Sequence, residues 1–505
     1  MRMLLRLYGW LLFFLCGTAA MAQKVTYTQP EKDDYKTTEF EIIGKVGGQI
    51  MVYKSDRGDY AVSIYDNNLQ PVQRIPLDFL PKKLLSMDLV AYSDRVLFFY
   101  QFQRKDAVFS FCATMHANGS FDQAPLLLDS TRIGNVTVEN KVYSVQFSED
   151  KSKILLYKIN QDRQNDNIFY TFLYDSSMLL INNSRVSMPM ETKKHFLGNF
   201  SLSNEGDFIF TKLERSSNRD VMVAGQLVQK QATVDSFALY PFDLKGQLVD
   251  EVKVKLDNVA KRVITAAFYY KQKRGNVEGL YINKFDYGQQ QPVYEKFADF
   301  SQQLKASAKG DASTAGAFND YFIRRIVNLK NGGFLVTAEC FYTTSRYQPY
   351  NRWNYLYGPY GGMYPYYYSP YSSMYNPWFY NNGPQGNRFH NDNVAVLSYD
   401  EEGNLQWSNI VNKSQFDDGS DMFLSYIMVN VGSELRFLFN EADRRNWLVA
   451  DNSITPDGKI SRLPTLRNLD KGYTWMPRFG KQIGARTVLI PCVYRNYICF
   501  AKIDF

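Results

Sequence analysis

Val394-Ala395-Val396-Leu397-Ser398-Tyr399-Asp400-Glu401-Glu402-Gly403-Asn404-Leu405-Gln406-Trp407 is the stretch whose reading decides the fold. An apolar strand runs into an acidic turn that holds a glycine, and a second strand restarts at once. The same form recurs around Tyr65-Asp66, Met115-His116 with Gly119, Tyr174-Asp175, Phe242-Asp243 with Gly246, Phe285-Asp286 with Gly288, Thr455 with Asp457-Gly458, and Ile503-Asp504. The landmarks lie about 63 residues apart on average, a period at which each unit holds several short strands.

Ahead of most landmarks lies a dense apolar run, such as Val96 to Tyr100, Ile154 to Tyr157, Phe334 to Thr337 or Leu435 to Leu438. Runs this dense in apolar residues suit strands covered on both faces. An alternating segment often precedes them, and a fourth strand, such as Val249 to Leu256, is expected after the turn. The pattern predicts four-stranded antiparallel units in series. This rhythm resembles that of the β-propeller superfamilies (WD40, kelch, quinoprotein) over residues 24–505. The Gly-His and Trp-Asp pairs of WD40 blades and the Gly-Gly of kelch are missing. Trp407 resembles the tryptophan of quinoprotein outer strands, but only once. The resemblance therefore implies an architecture and no functional residues.

The fold class expected is all-β, a closed β-propeller of four-stranded antiparallel blades. Eight blades fit the landmarks best, and the short step from Asp243 to Asp286 leaves seven open. After Ile503-Asp504 the chain stops at Phe505, so the last blade lacks a fourth strand. The strand-like Lys24-Val25-Thr26-Tyr27-Thr28 is expected to supply it and close the ring.

Residues 1–22 read as an export signal, with Arg2 and Arg6 ahead of the apolar Leu7 to Leu15 and a small-x-small Ala20-Met21-Ala22. Residues 23–505 are expected to form a single propeller domain in the periplasm or on the cell surface. No later segment is long and apolar enough for a transmembrane helix. The net charge of +7 includes both signal arginines, and with export it argues against nucleic acid as a partner. Cys492 and Cys499 face each other if Arg495-Asn496 is a hairpin tip, which makes them a candidate disulfide. Cys112 and Cys340, in apolar strands, are expected in the core.

Two insertions break the rhythm. Residues 301–318 read as a polar linker with room for one short helix. Residues 347–380 hold twelve tyrosines and a single charge, Arg352. Exposed aromatic side chains offer large contact area at low entropic cost, so Tyr350, Trp353, Tyr355, Tyr357, Tyr360, Tyr366, Tyr367, Tyr368 and Trp378 are the candidate binding residues. Arg57, Arg104, Arg163, Arg219, Arg274, Arg352, Arg444 and Arg495 fall between the second and third strands of successive units. Ring closure would gather them on the face that carries the insertions, with Arg104, Arg274 and Arg444 as candidate contacts for an acidic partner. Nearby Asp59, Asp106 and Asp166 make locally balanced, solvated turns the competing reading.

The function expected from these residues is a non-enzymatic module that binds a protein or a glycan at the cell envelope. No cofactor or metal is implied: no Cys/His spacing suits zinc, and Asp417-Asp418-Gly419-Ser420-Asp421 lacks the spacing of a calcium loop. There is no Gly-x-Ser-x-Gly elbow and no phosphate-cradling glycine loop. Two alternatives stand beside it: a propeller glycoside hydrolase or lyase using channel carboxylates, and an outer-membrane β-barrel, to which the alternation of Tyr497, Cys499, Ala501, Ile503 and Phe505 points.

Overall fold

The acidic landmarks act as turn formers. Asp66 Oδ1 accepts hydrogen bonds from the amides of Asn68 and Gln70, both at 2.8 Å. Asp175 Oδ1 does the same for Ser177 and Leu179 at 2.8 and 2.9 Å, and Asp400 Oδ1 for Asn404 at 2.7 Å. Three residues after each aspartate the backbone turns left-handed, at Leu69 (φ 59°), Met178 (φ 64°) and Gly403 (φ 78°). A carboxylate that satisfies turn amides, followed by a left-handed residue, reverses the chain with the twist a hairpin needs.

The computed structural model describes residues 24–505 except 123, 135, 139, 165, 191–193, 217–220, 274, 311–313, 346–351, 353–355, 357–374, 376–386, 444–445 and 467–471. The strands fall into sets along the chain. A lone strand β1 (Lys24–Tyr27) precedes set one, β2 (Thr38–Val46), β3 (Gln49–Asp56), β4 (Asp59–Tyr65) and β5 (Pro71–Pro76). Set two is β6 (Ser86–Ala91), β7 (Arg95–Arg104), β8 (Ala107–His116) and β9 (Leu126–Arg132). Set three is β10 (Ser144–Phe147), β11 (Lys153–Gln161), β12 (Asn167–Asp175) and β13 (Leu180–Met188). Set four is β14 (His195–Leu202), β15 (Phe208–Arg215), β16 (Met222–Lys230) and β17 (Ala238–Pro241). Set five is β18 (Leu248–Asp257), β19 (Arg262–Tyr270), β20 (Gly279–Asp286) and β21 (Gln291–Asp299).

Helix α1 (Gln302–Lys309) leads into set six, β22 (Tyr321–Asn328), β23 (Phe334–Ser345), β24 (Asn387–Tyr399) and β25 (Leu405–Asp418). Set seven is β26 (Tyr426–Asn430), β27 (Leu435–Asp443), β28 (Asn446–Ile454) and β29 (Ile460–Leu466). Set eight is β30 (Tyr473–Trp475), β31 (Lys481–Gly484), β32 (Thr487–Tyr494) and β33 (Tyr497–Asp504).

Pairing is antiparallel throughout and gives seven sheets among the described residues: five of four strands, one of eight and one of five. The eight-stranded sheet is sets four and five joined by a single pair, Met222 with Val249. The five-stranded sheet is set eight plus β1, whose Lys24 to Tyr27 pair with Asp504 to Ala501 of β33. Strands grouped in separate sheets exclude the barrel, which needs one continuous sheet.

The core follows the same grouping. Each set shares an apolar cluster with the next: Met51 and Val62 pack with Met87 and Phe98 between sets one and two, and Ile264 and Phe268 with Tyr321 and Val336 between sets five and six. A further cluster joins the last set to the first, through Phe40, Ile42 and Val52 with Phe479, Leu489 and Phe500. The dense runs are the second strands, buried on both faces. Val96 to Tyr100 in β7, for example, are all buried.

One landmark belongs to a different connection. Phe242-Asp243 with Gly246 is not an inner turn; it connects β17 to β18, and the expected fourth strand Val249 to Leu256 is the first strand of set five. The turn between β16 and β17 spans residues 231–237. The 301–318 linker holds the expected helix, with Ser301 Oγ accepting from the Leu304 amide at 3.1 Å and Gly310 (φ 76°) closing it. The linker is more than polar tether: Leu304, Ala308 and Phe318 are buried in the cluster between sets five and six.

Candidate functional site

The Tyr-rich insertion joins β23 to β24, the second-to-third-strand connection of set six. Its described residues are Arg352, Leu356 and Tyr375. Tyr350, Trp353, Tyr355, Tyr357, Tyr360, Tyr366, Tyr367, Tyr368 and Trp378 lie outside the described residues, as do Arg219, Arg274 and Arg444.

Arg352 is not the exposed loop arginine anticipated. Its side chain is 14% exposed and its Nε donates to Asp250 Oδ2 at 2.7 Å. Nη2 reaches Asp250 Oδ1 and Glu251 Oε2, both at 3.3 Å, and Nη1 donates to the carbonyls of Asn319 and Tyr321. The guanidinium lies over the Phe322 ring, 4.1 Å from its centre. A bulge in β18, where Glu251 takes φ 44°, brings the two adjacent acids to one place. Tyr270 Oη donates to Asp250 Oδ2 at 2.6 Å, and the Ile323 amide to Glu251 Oε2 at 2.8 Å. Burial pushes the Glu251 carboxyl up to about 7, against the pull of Lys253 and Arg352. The donors and acceptors here are spent on each other, so the cluster anchors the chain.

Tyr375 is the second anchor, fully buried in the cluster between the last set and the first. Its amide donates to the Phe40 carbonyl at 2.8 Å and its carbonyl accepts from the Phe40 amide at 3.0 Å. Its Oη donates to the Tyr35 carbonyl at 2.8 Å, and its ring stacks on Phe40 with centres 5.1 Å apart. The insertion is thus fixed at sets five and six through Arg352 and at set one through Tyr375.

Arg57, Arg104 and Arg163 occupy turns between the second and third strands of sets one, two and three, Arg495 occupies the turn between β32 and β33, and all four are exposed. Arg57 (φ 51°) and Gly58 (φ 89°) form a two-residue hairpin tip, as do Arg495 (φ 49°) and Asn496 (φ 71°). Arg57 Nε sits 4.0 Å from Asp56, so local balancing of charge is real there. The acids of 417–421 are partly spent on arginines: Asp418 on Arg388 at 2.8 Å and Asp421 on Arg478 at 2.6 Å.

Cys492 and Cys499 sit opposite each other in the β32–β33 register, as the hairpin tip implied. Both are buried free thiols, and burial pushes Cys499 up to about 12; the bridge stands as a proposal for the oxidised protein. Cys112 is buried, whereas Cys340 is half-buried.

The anchoring acids escaped notice in the sequence, although a signal exists. Asp250-Glu251 between Val249 and Val252 puts two charges inside an apolar strand, which demands a cation, and the 347–380 tract offers only Arg352.

No protein-family model and no curated protein sequence matches the chain. Among solved structures, the polysaccharide lyase Uly1 is similar over 82% of this chain and 89% of its own, at 9% identity and TM-score 0.38. Prolyl oligopeptidase B from Galerina marginata is similar over 94% of this chain and 56% of its own, at 8% identity and TM-score 0.40. A functionally unknown protein from Desulfotomaculum acetoxidans is similar over 86% of this chain and 96% of its own, at 9% identity and TM-score 0.31. Likenesses this remote carry no argument about function.

Proposed function

We propose that the chain is an exported, closed eight-bladed β-propeller that binds a protein or glycan partner at the cell envelope and works as a scaffold, not as an enzyme. Each strand set is one blade in this reading. Its support is the succession of apolar clusters, which runs from set to set and returns from the last to the first, with β1 on β33 as the closing strand.

The working face is the one bearing the Tyr-rich insertion. The observation that carries this is the double anchorage: Arg352 and Tyr375 hold the insertion to widely separated blades. An uncharged, aromatic tract whose two ends are fixed loses less entropy on binding than a free loop. The exposed arginines of neighbouring turns would add long-range attraction for an acidic partner.

The test is replacement of residues 357–374 by a Gly-Ser linker, which keeps both anchors. The variant should fold with an unchanged melting transition and lose the partners that co-purify with the mature protein. Retention of every partner by the folded variant would place the binding surface elsewhere.

A further inference from the structure

The opposite end of the first strands carries a different feature. Tyr375 pairs with Phe40 near the start of β2; about 16 Å along the strand, at its end, lies a cavity of about 380 Å³. It is lined by β2 and β31 and by the turns after β6 and β10, so sets eight, one, two and three all contribute. Three of its lining residues are Lys45, Lys151 and Lys481, joined by the polar Ser93, Tyr92 and Gln482.

Two of the lysines are held in place by carbonyl groups. Lys481 Nζ donates to the Ile42 carbonyl at 2.9 Å and Lys151 Nζ to the Ala91 carbonyl at 2.7 Å. The Tyr92 hydroxyl returns a bond to the Lys151 carbonyl at 2.9 Å. Each ammonium has donors left over, and none of the three forms an ion pair among the described residues. Glu41, buried in β2, is the acid whose charge reaches Lys481, and Lys151 opposes it. Burial lowers both Lys151 and Lys481, the condition of cations short of a counter-charge.

We propose that this cavity binds a small anion of monosaccharide size, a sugar carboxylate or sugar phosphate, whose charged group sits among Lys45, Lys151 and Lys481. Cavities of this volume suit small ligands, and three ammonium groups outnumber the buried Glu41 and the exposed Asp150, whose charge reaches Tyr92, so the site favours negative charge.

The experiment is calorimetric titration of the mature protein with glucuronate, glucose 6-phosphate and neutral glucose at low salt. At least one anion should bind one-to-one, weaken as salt rises, and lose about tenfold or more in affinity in Lys45→Gln/Lys151→Gln, the scale of a charge-assisted contact. Lys45 is exposed and the Lys151 ammonium holds one carbonyl, that of Ala91, so the variant should stay folded, which its melting transition checks. Which of the two anions binds identifies the source of the charge. Binding of glucose as tight as either anion, unchanged affinity in the variant, or no binding of either anion to wild type would each overturn the proposal.

Discussion

Arg352 Nε stands 2.7 Å from Asp250 Oδ2, so the single charge of a 34-residue aromatic tract is spent inside the protein. Removing it strands two buried carboxylates. Arg352→Ala should lower stability by about 3–5 kcal/mol in denaturant titration. Arg352→Lys should recover only part, since lysine restores charge but neither the fork nor the contact with Phe322. An Ala variant as stable as wild type would mean the insertion is not anchored there.

Tyr375→Ala should cost about 3–5 kcal/mol, the range for emptying a large aromatic site. Together with the Gly-Ser replacement of 357–374, which should be neutral, it separates the anchoring tyrosine from those of 357–374. The pair of melting curves checks both.

Deleting Lys24 to Thr28 should destabilise sharply. It removes β1 from β33, and it loosens Glu31 and Asp33, which grip the buried Lys54 Nζ at 2.8 and 2.7 Å. Thermal unfolding of the shortened protein reads the loss, and an unchanged transition would refute closure by this strand.

Acid should weaken the protein through Glu339. Burial alone would raise this carboxyl, but Lys413 and Arg324, each at 2.9 Å, outweigh it and hold it at about 2, against an ordinary 4.5. A depressed folded value means stability is present above pH 4.5 and is lost as pH falls toward 2. Wild type should therefore lose on the order of a few kcal/mol across that window. Glu339→Gln should start less stable at neutral pH and show a flatter acid limb.

Mass spectrometry of the exported, non-reduced protein should find Cys492 joined to Cys499. Thiols buried this deeply carry little thiolate, so the bridge should form during oxidative refolding and slowly or not at all in the folded, reduced protein. All thiols free in both samples would dispose of it.

The strand sets were legible in the sequence because their causes are local. Asp66, Asp175 and Asp400 fold their own turns, and Val96 to Tyr100 shows by its composition that both faces are covered. The Cys492–Cys499 register followed from one hairpin tip. Asp243 misled because its aspartate-to-glycine turn looks the same whether the next strand continues a set or begins another. Pairing partners decide that: β18 pairs with β19 from Leu248 with Tyr270 to Asp257 with Arg262, and with β16 only at Val249 with Met222. The anchors and the lysine cavity belonged to tertiary structure alone. Asp250 and Arg352 are 102 residues apart, and Lys45 meets Lys481 only because the last set packs on the first. Local chemistry determined the strands and turns; charges brought together from distant segments became visible only when the sets were stacked side by side.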